Sequence, residues 1–177
     1  DRAKTKSLLE KAISSAGERR DYPLVLAHYF LGYSFITEGK NNEALAHFNL
    51  LMEYHKSGVL PWRLPWMKAN VAFSIYLSNG NVDLALQLCE EAMQEVSTYN
   101  VPERFRGAIQ VIYGAALNAR GYFDEAEKEL LAGLKITEKH IFHAWASLAY
   151  QMLGDIYNET GDYQKSIFYF GRLIELY

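Results

Sequence analysis

Apolar residues recur along this chain at three- and four-residue steps, the period of a helix with one buried face. Leu31 and Phe35 mark one such face, Ala69, Ala72, Phe73 and Tyr76 a second, Tyr113 and Leu117 a third, and Leu153 and Tyr157 a fourth. Between them lie other stripes of the same period: Phe48 and Leu51, Cys89 and Ala92, Leu130 and Gly133, Phe170 and Leu173. No stretch alternates apolar and polar residues two by two, so no strand is expected. The pattern predicts an all-α chain of about nine helices. They cover residues 2–17, 23–38, 41–57, 65–79, 82–99, 103–120, 123–139, 142–160 and 162–177.

The punctuation between the stripes is itself periodic. Gly39, Gly80, Gly121 and Gly161 follow one another at 41, 41 and 40 residues, each with a small residue five positions on: Ala44, Ala85, Ala126 and Ser166. A glycine ends a helix in the left-handed conformation at little cost, and a small residue lets two helices approach. Asn81 and Asp162, directly after two of the glycines, are placed to cap the next helix. Glu43 and Glu125 bring negative charge to a first turn, as the helix dipole favours. The chain therefore divides into helix hairpins: 2–17 as the second helix of a partial unit, then units at 22–60, 61–101, 102–141 and 142–177. Since it starts and stops inside such units, a fragment of a longer protein is expected.

The repeated residues resemble the tetratricopeptide repeat. The last unit carries Tyr150, Leu153-Gly154, Tyr157, Gly161, Tyr163, Ser166 and Phe170. The first carries His28, Leu31-Gly32, Phe35, Gly39, Ala44 and Phe48. The third keeps Gly114, Gly121, Phe123 and Ala126; the second departs, with Phe73 in the place of the small glycine and Cys89 in that of the aromatic. The period exceeds the family's ~34 residues and is similar to the long units of LuxR-type ATP-dependent transcription activators and kinesin light chains. The resemblance implies a single right-handed superhelical α-solenoid whose concave groove binds a peptide or helix of a partner protein. As an alternative, it implies the effector-sensing arm of a LuxR-type bacterial transcription regulator, in which a small effector is possible.

Projected onto the family, the groove is lined by Leu26, Tyr29, Tyr33 and Ile36 from the first unit and Met67, Asn70 and Ser74 from the second. Val111 and Asn118 come from the third, and Gln151, Asp155 and Asn158 from the fourth. The chaperone-binding members hold a carboxylate with Lys and Asn at these positions. Here Tyr29 and Tyr33 stand there, so the expected ligand is apolar or cationic, not acidic.

Composition narrows the classes. Net charge is −3 with a pI near 6.0, which gives no basic surplus for phosphates, so no direct nucleic-acid contact is expected. No apolar run reaches the ~18 residues of a membrane span. Cys89 is the single cysteine, which excludes an internal disulfide and suits a reducing, cytoplasmic setting. Asn158-Glu159-Thr160 reads as a glycosylation sequon only in a secreted protein. No nucleophile elbow or phosphate loop is present, so no enzyme and no cofactor are expected. His140, His143 and Glu138 are neighbours in sequence but fall short of a metal motif, and no metal is expected.

Two tryptophans, Trp62 and Trp66, flank Pro65 at the junction of the first two units. Proline in a first turn loses no helix bond, so Trp66 is expected to pack between repeats and Trp62 to cover the connection.

Overall fold

A computed structural model describes residues 2–16 and 21–176; the expected helix ends at 17 and 177 lie outside the described residues. Among these residues there are nine helices and no strand. They are α1 (Arg2–Ala16), α2 (Tyr22–Thr37), α3 (Asn41–Lys56), α4 (Arg63–Val71), α5 (Val82–Glu95), α6 (Glu103–Arg120), α7 (Phe123–Lys139), α8 (His143–Glu159) and α9 (Tyr163–Glu175). Consecutive helices pack as antiparallel hairpins, α2–α3, α4–α5, α6–α7 and α8–α9, stacked into an all-α solenoid with α1 against α2.

The hairpin turns at Gly39, Gly80 and Gly121 close the same way. At Gly121, with φ 87°, the N–H bonds to Asn118 and the next N–H, of Tyr122, reaches back to Leu117. That pair of bonds satisfies carbonyls that a helix end leaves free. The predicted side-chain caps divide. Asp162 accepts from the Lys165 N–H at 3.2 Å, whereas the Asn81 side chain makes no capping bond. Asp21 caps α2 by accepting from Leu24 at 3.2 Å.

The close approaches are fixed by size. A Cβ at Gly32 would lie 2.5 Å from Phe48, and one at Gly154 2.7 Å from Phe170, so each aromatic ring rests on bare backbone. Ala44, Ala85 and Ala126 are wholly buried. The Ser166 hydroxyl, also buried, donates to the Gly154 carbonyl at 2.9 Å.

The second hairpin solves the same problem differently. After Val71 the fourth helix widens into a π turn, Ala72–Tyr76, and then tightens into a 3-10 turn, Leu77–Asn79. Phe73 is too large for the hairpin interface. It lies half-buried on the inner face, while the wholly buried Ala69 and Ala72 share the core with Ala85 and Cys89. Single π turns of this kind occur within α-helices, frequently at functional sites.

Two other boundaries differ from the pattern. α4 begins at Arg63, so the helix runs through Leu64-Pro65; as its third residue, Pro65 has no intrahelical acceptor to forgo. α5 stops at Glu95, four residues early, because Asn100 takes a left-handed φ of 50° and Val101 N–H bonds back to Val96. The equivalent junction after α7 places Ile141 at φ 51°, 71% exposed.

Candidate functional site

The first helices of the hairpins, α2, α4, α6 and α8, line the inner face. Where the chain predicts an aromatic junction, the structure builds a continuous cluster. Trp62 and Trp66 both lie 5.1 Å from the Phe105 ring. Trp66 meets Trp145 edge to face at 5.5 Å, and Phe73 meets the same Trp145 at 5.6 Å. Trp66 is buried between repeats and Trp62 half-covered over the connection. The cluster joins the second hairpin to the fourth across the third.

Beside this cluster is a hollow of about 640 Å³, bounded by α2, α4, α6 and α8 and their connecting turns. Ile36, Phe73, Leu77, Ala115, Leu148 and Met152 give it an apolar wall; Ser74, Ser78 and Gln151 supply its polar atoms. No lining residue is charged. Three of the residues projected from the sequence, Ile36, Ser74 and Gln151, come together here. Asn118 stands at its edge, its amide directed to the Met152 sulfur at 3.7 Å.

The other projected residues are placed otherwise. Met67, Asn70 and Val111 are buried, and this corrects their expected place in an open groove. Met67 and Asn70 reach the preceding hairpin, whereas Val111 packs on Gly133 of α7 within its own. Tyr33 is half-buried; its hydroxyl donates to Asn70 Oδ1 at 2.5 Å, while the Asn70 amide donates to the Trp66 carbonyl at 2.8 Å. Burial, followed by the neighbouring Tyr29, raises the Tyr33 phenol pKa far above its usual value. Tyr29 packs on Tyr33 at 4.8 Å, and Leu26 is half-buried. Asp155 is half-exposed and Asn158 exposed on α8, beyond the hollow. Burial, then Glu159, raises the Asp155 carboxyl.

The groups that could carry chemistry are accounted for by packing. Burial, then the Glu90 charge, pushes the Cys89 thiol up to about 12, far from a reactive thiolate. His140 pairs with Glu103 at 2.9 Å, while Glu138 receives the Tyr150 hydroxyl and faces Arg172 at 3.6 Å. The histidine and the glutamate are thus turned to different partners. Among the described residues no group of three or more His, Cys, Asp or Glu could hold a metal ion. No helix among them is long and apolar enough to cross a membrane.

Sequence reasoning had no access to two polar assemblies. Lys68, 7% exposed, reaches from α4 to Glu91 and Glu95 on α5, at 2.8 Å each. Burial opposes its charge, but the two carboxylates prevail and hold its pKa up. His28 and His47 face each other across the first hairpin, Nδ1 to Nδ1 at 2.8 Å, with Phe35 stacked on His47. Burial, and then His47, lowers His28 to about 4. Only their separation in sequence hides these pairs.

Comparison with known proteins agrees with this architecture. The family model described as Tetratricopeptide repeat matches residues 148–177. Two crystal structures of a candidate kinesin light chain from Podosopora anserina, with nearly identical TPR-like repeats, superpose on the chain. One, a single-residue variant, gives a TM-score of 0.70 and the other 0.67. Each is 18% identical and covers 99% of this chain and 86% of its own. No curated protein matches in sequence. Residues 148–177 thus match a tetratricopeptide repeat, and the chain as a whole has a TPR-like repeat fold.

Proposed function

We propose that this chain is a non-catalytic interaction module that receives an apolar, uncharged segment of a partner protein, peptide or helix, in its concave hollow. The observation that carries the reading is the uncharged wall between α2, α4, α6 and α8, where Phe73 and Leu77 face Leu148 and Met152. A charged segment entering there would lose hydration without gaining a counter-charge, whereas an apolar one gains by burial. Ser74, Ser78 and Gln151 can orient its backbone. Stacked hairpins present such extended inner surfaces by construction.

The test is selection of peptides from a displayed random library on the wild-type chain, with a Leu77→Glu, Met152→Glu variant for comparison. Apolar, uncharged sequences are expected to be enriched on the wild type and lost on the variant. Recovery of the same peptides on both would overturn the reading.

A further inference from the structure

Three clefts separate the second helices of successive hairpins: α3 from α5, α5 from α7, and α7 from α9, each floored by the first helix between them. The first and last of these contain a cation with its own carboxylate. Between α3 and α5, Lys68 pairs with Glu91 at 2.8 Å, and the charge of Lys56 on α3 also acts on Glu91. Between α7 and α9, Arg172 faces Glu138 at 3.6 Å, and Glu138 also receives the Tyr150 hydroxyl. One repeat earlier, Met93, Ser97 and Gln110 hold the places of Leu134, Glu138 and Tyr150. The middle cleft therefore lacks the carboxylate, yet Arg106 of α6 brings a cation to it. Among the described residues Arg106 has no ion-pair partner. Glu103, the acid one turn before it, is held by Lys139 and His140 at 3.0 and 2.9 Å.

The cleft is a hollow of about 280 Å³. Met93 and Val96 at the end of α5 and Ile136 of α7 give it an apolar wall, and Arg106 and Gln110 of α6 are its polar members. It shares no residue with the concave hollow.

We propose that this cleft binds the C-terminal residue of a partner chain, a leucine or isoleucine whose free carboxylate meets Arg106. The occupant follows from the lining. A guanidinium pairs with a carboxylate through two parallel bonds, the group that the neighbouring clefts supply from within. The space suits one side chain and its backbone, so the carboxylate and the aliphatic group must belong to the same residue. A terminal residue carries both on one Cα, whereas an internal Asp or Glu leaves the wall of Met93, Val96 and Ile136 uncovered. Gln110 favours a peptide over a bare acid. Its amide nitrogen donates to Glu129 at 3.5 Å, and its carbonyl oxygen can accept the N–H of the terminal residue.

The probe is a short fluorescent peptide of Gly and Ser ending in one Leu, with a free or an amidated C-terminus. Anisotropy reads its binding, and methyl NMR reads its place. The acid is expected to shift the methyls of Met93, Val96 and Ile136. The amide should bind about ten-fold more weakly, the scale of one charge-assisted pair. Arg106→Gln, at an exposed position, should leave helicity unchanged and bring the acid down to the level of the amide. Arg106→Lys should fall between, since a point charge replaces the planar fork. Leu77→Glu should leave the acid bound. No binding of the acid, equal binding of acid and amide, or indifference to Arg106→Gln overturns the proposal. Loss of binding on Leu77→Glu places the peptide in the concave hollow and also overturns it. N-acetyl-leucine binding as tightly as the peptide would make a free acid the ligand. An amidated peptide with Glu before the Leu, if it matched the acid, would make an internal side chain the anchor. Either result overturns the terminal residue as the occupant.

Discussion

Phe73 meets Trp145 edge to face at 5.6 Å, although a whole hairpin separates them along the chain. The π turn makes this contact by carrying Phe73 out of its own hairpin and onto the inner face. Phe73→Ala removes an aromatic pair and part of the wall of the hollow. A loss of about 2 kcal/mol is expected, below the 3–5 of a fully buried Phe because Phe73 is half-exposed. Urea unfolding measures it, and a red shift of tryptophan emission should accompany it. An unchanged spectrum would contradict the contact.

Lys68 is the pivot of the second hairpin. Lys68→Ala leaves Glu91 and Glu95 facing each other without their cation and is expected to cost about 2–3 kcal/mol, toward or below the low end for breaking a buried pair because the two carboxylates are partly exposed. Lys68→Met, which keeps the stem, should cost less. The bond from Lys68 holds the Glu91 carboxyl below its ordinary 4.5. A carboxylate with a depressed folded pKa contributes stability that is present above 4.5 and lost as pH falls through its folded value. Wild type should therefore lose stability on acidification below about pH 4.5 more steeply than Lys68→Met. Parallel denaturation curves for the two proteins would refute this.

The histidine pair acts in a higher window. His28 titrates near 4 in the folded protein against 6.5 when free. Between those values the unfolded chain binds more protons, so stability falls as pH drops from 6.5 to 4 and is not lost further by this group below 4. His47 and His55, both lowered chiefly by burial, act in the same direction. His28→Gln should reduce the slope of stability against pH in that window. A variant slope as steep as the wild type would assign the effect to the other histidines.

Ile141 occupies a left-handed backbone position that β-branched residues rarely adopt, and its side chain is exposed. Gly58 and Asn100 fill the corresponding turns after α3 and α5. Ile141→Asn is expected to raise stability by about 1 kcal/mol, the scale of the left-handed penalty, and Ile141→Gly by somewhat less because glycine gains entropy on unfolding. Thermal melts decide it. A lower melting temperature for both would mean that the exposed isoleucine makes a contact of its own.

The hairpin architecture was legible because a helix-ending glycine and a small packing residue recur at one period, from Gly39 with Ala44 to Gly161 with Ser166. The π turn was not. Nothing in Ala72–Tyr76 disfavours an ordinary helix; the widening comes from the misfit of Phe73 at a position where Gly32 and Gly154 lie beneath aromatic rings. The inner face was legible in part. Ile36, Ser74 and Gln151 meet as the repeat register suggests, but Met67, Asn70 and Val111 are buried. Register fixes a position along a helix, whereas helix rotation depends on side chains of the helices packed against it. Asn81 shows the same limit at a smaller scale: the residue type suits a cap, yet its rotamer makes no bond.

The aromatic strut from Trp66 and Phe73 to Trp145 has a mechanical consequence. A solenoid linked only between neighbours behaves as a soft spring that can fray one unit at a time. A brace between the second and fourth hairpins ties three units into one block. Pulled from its ends, the chain should yield there in a single large step, with the first hairpin free to peel away beforehand.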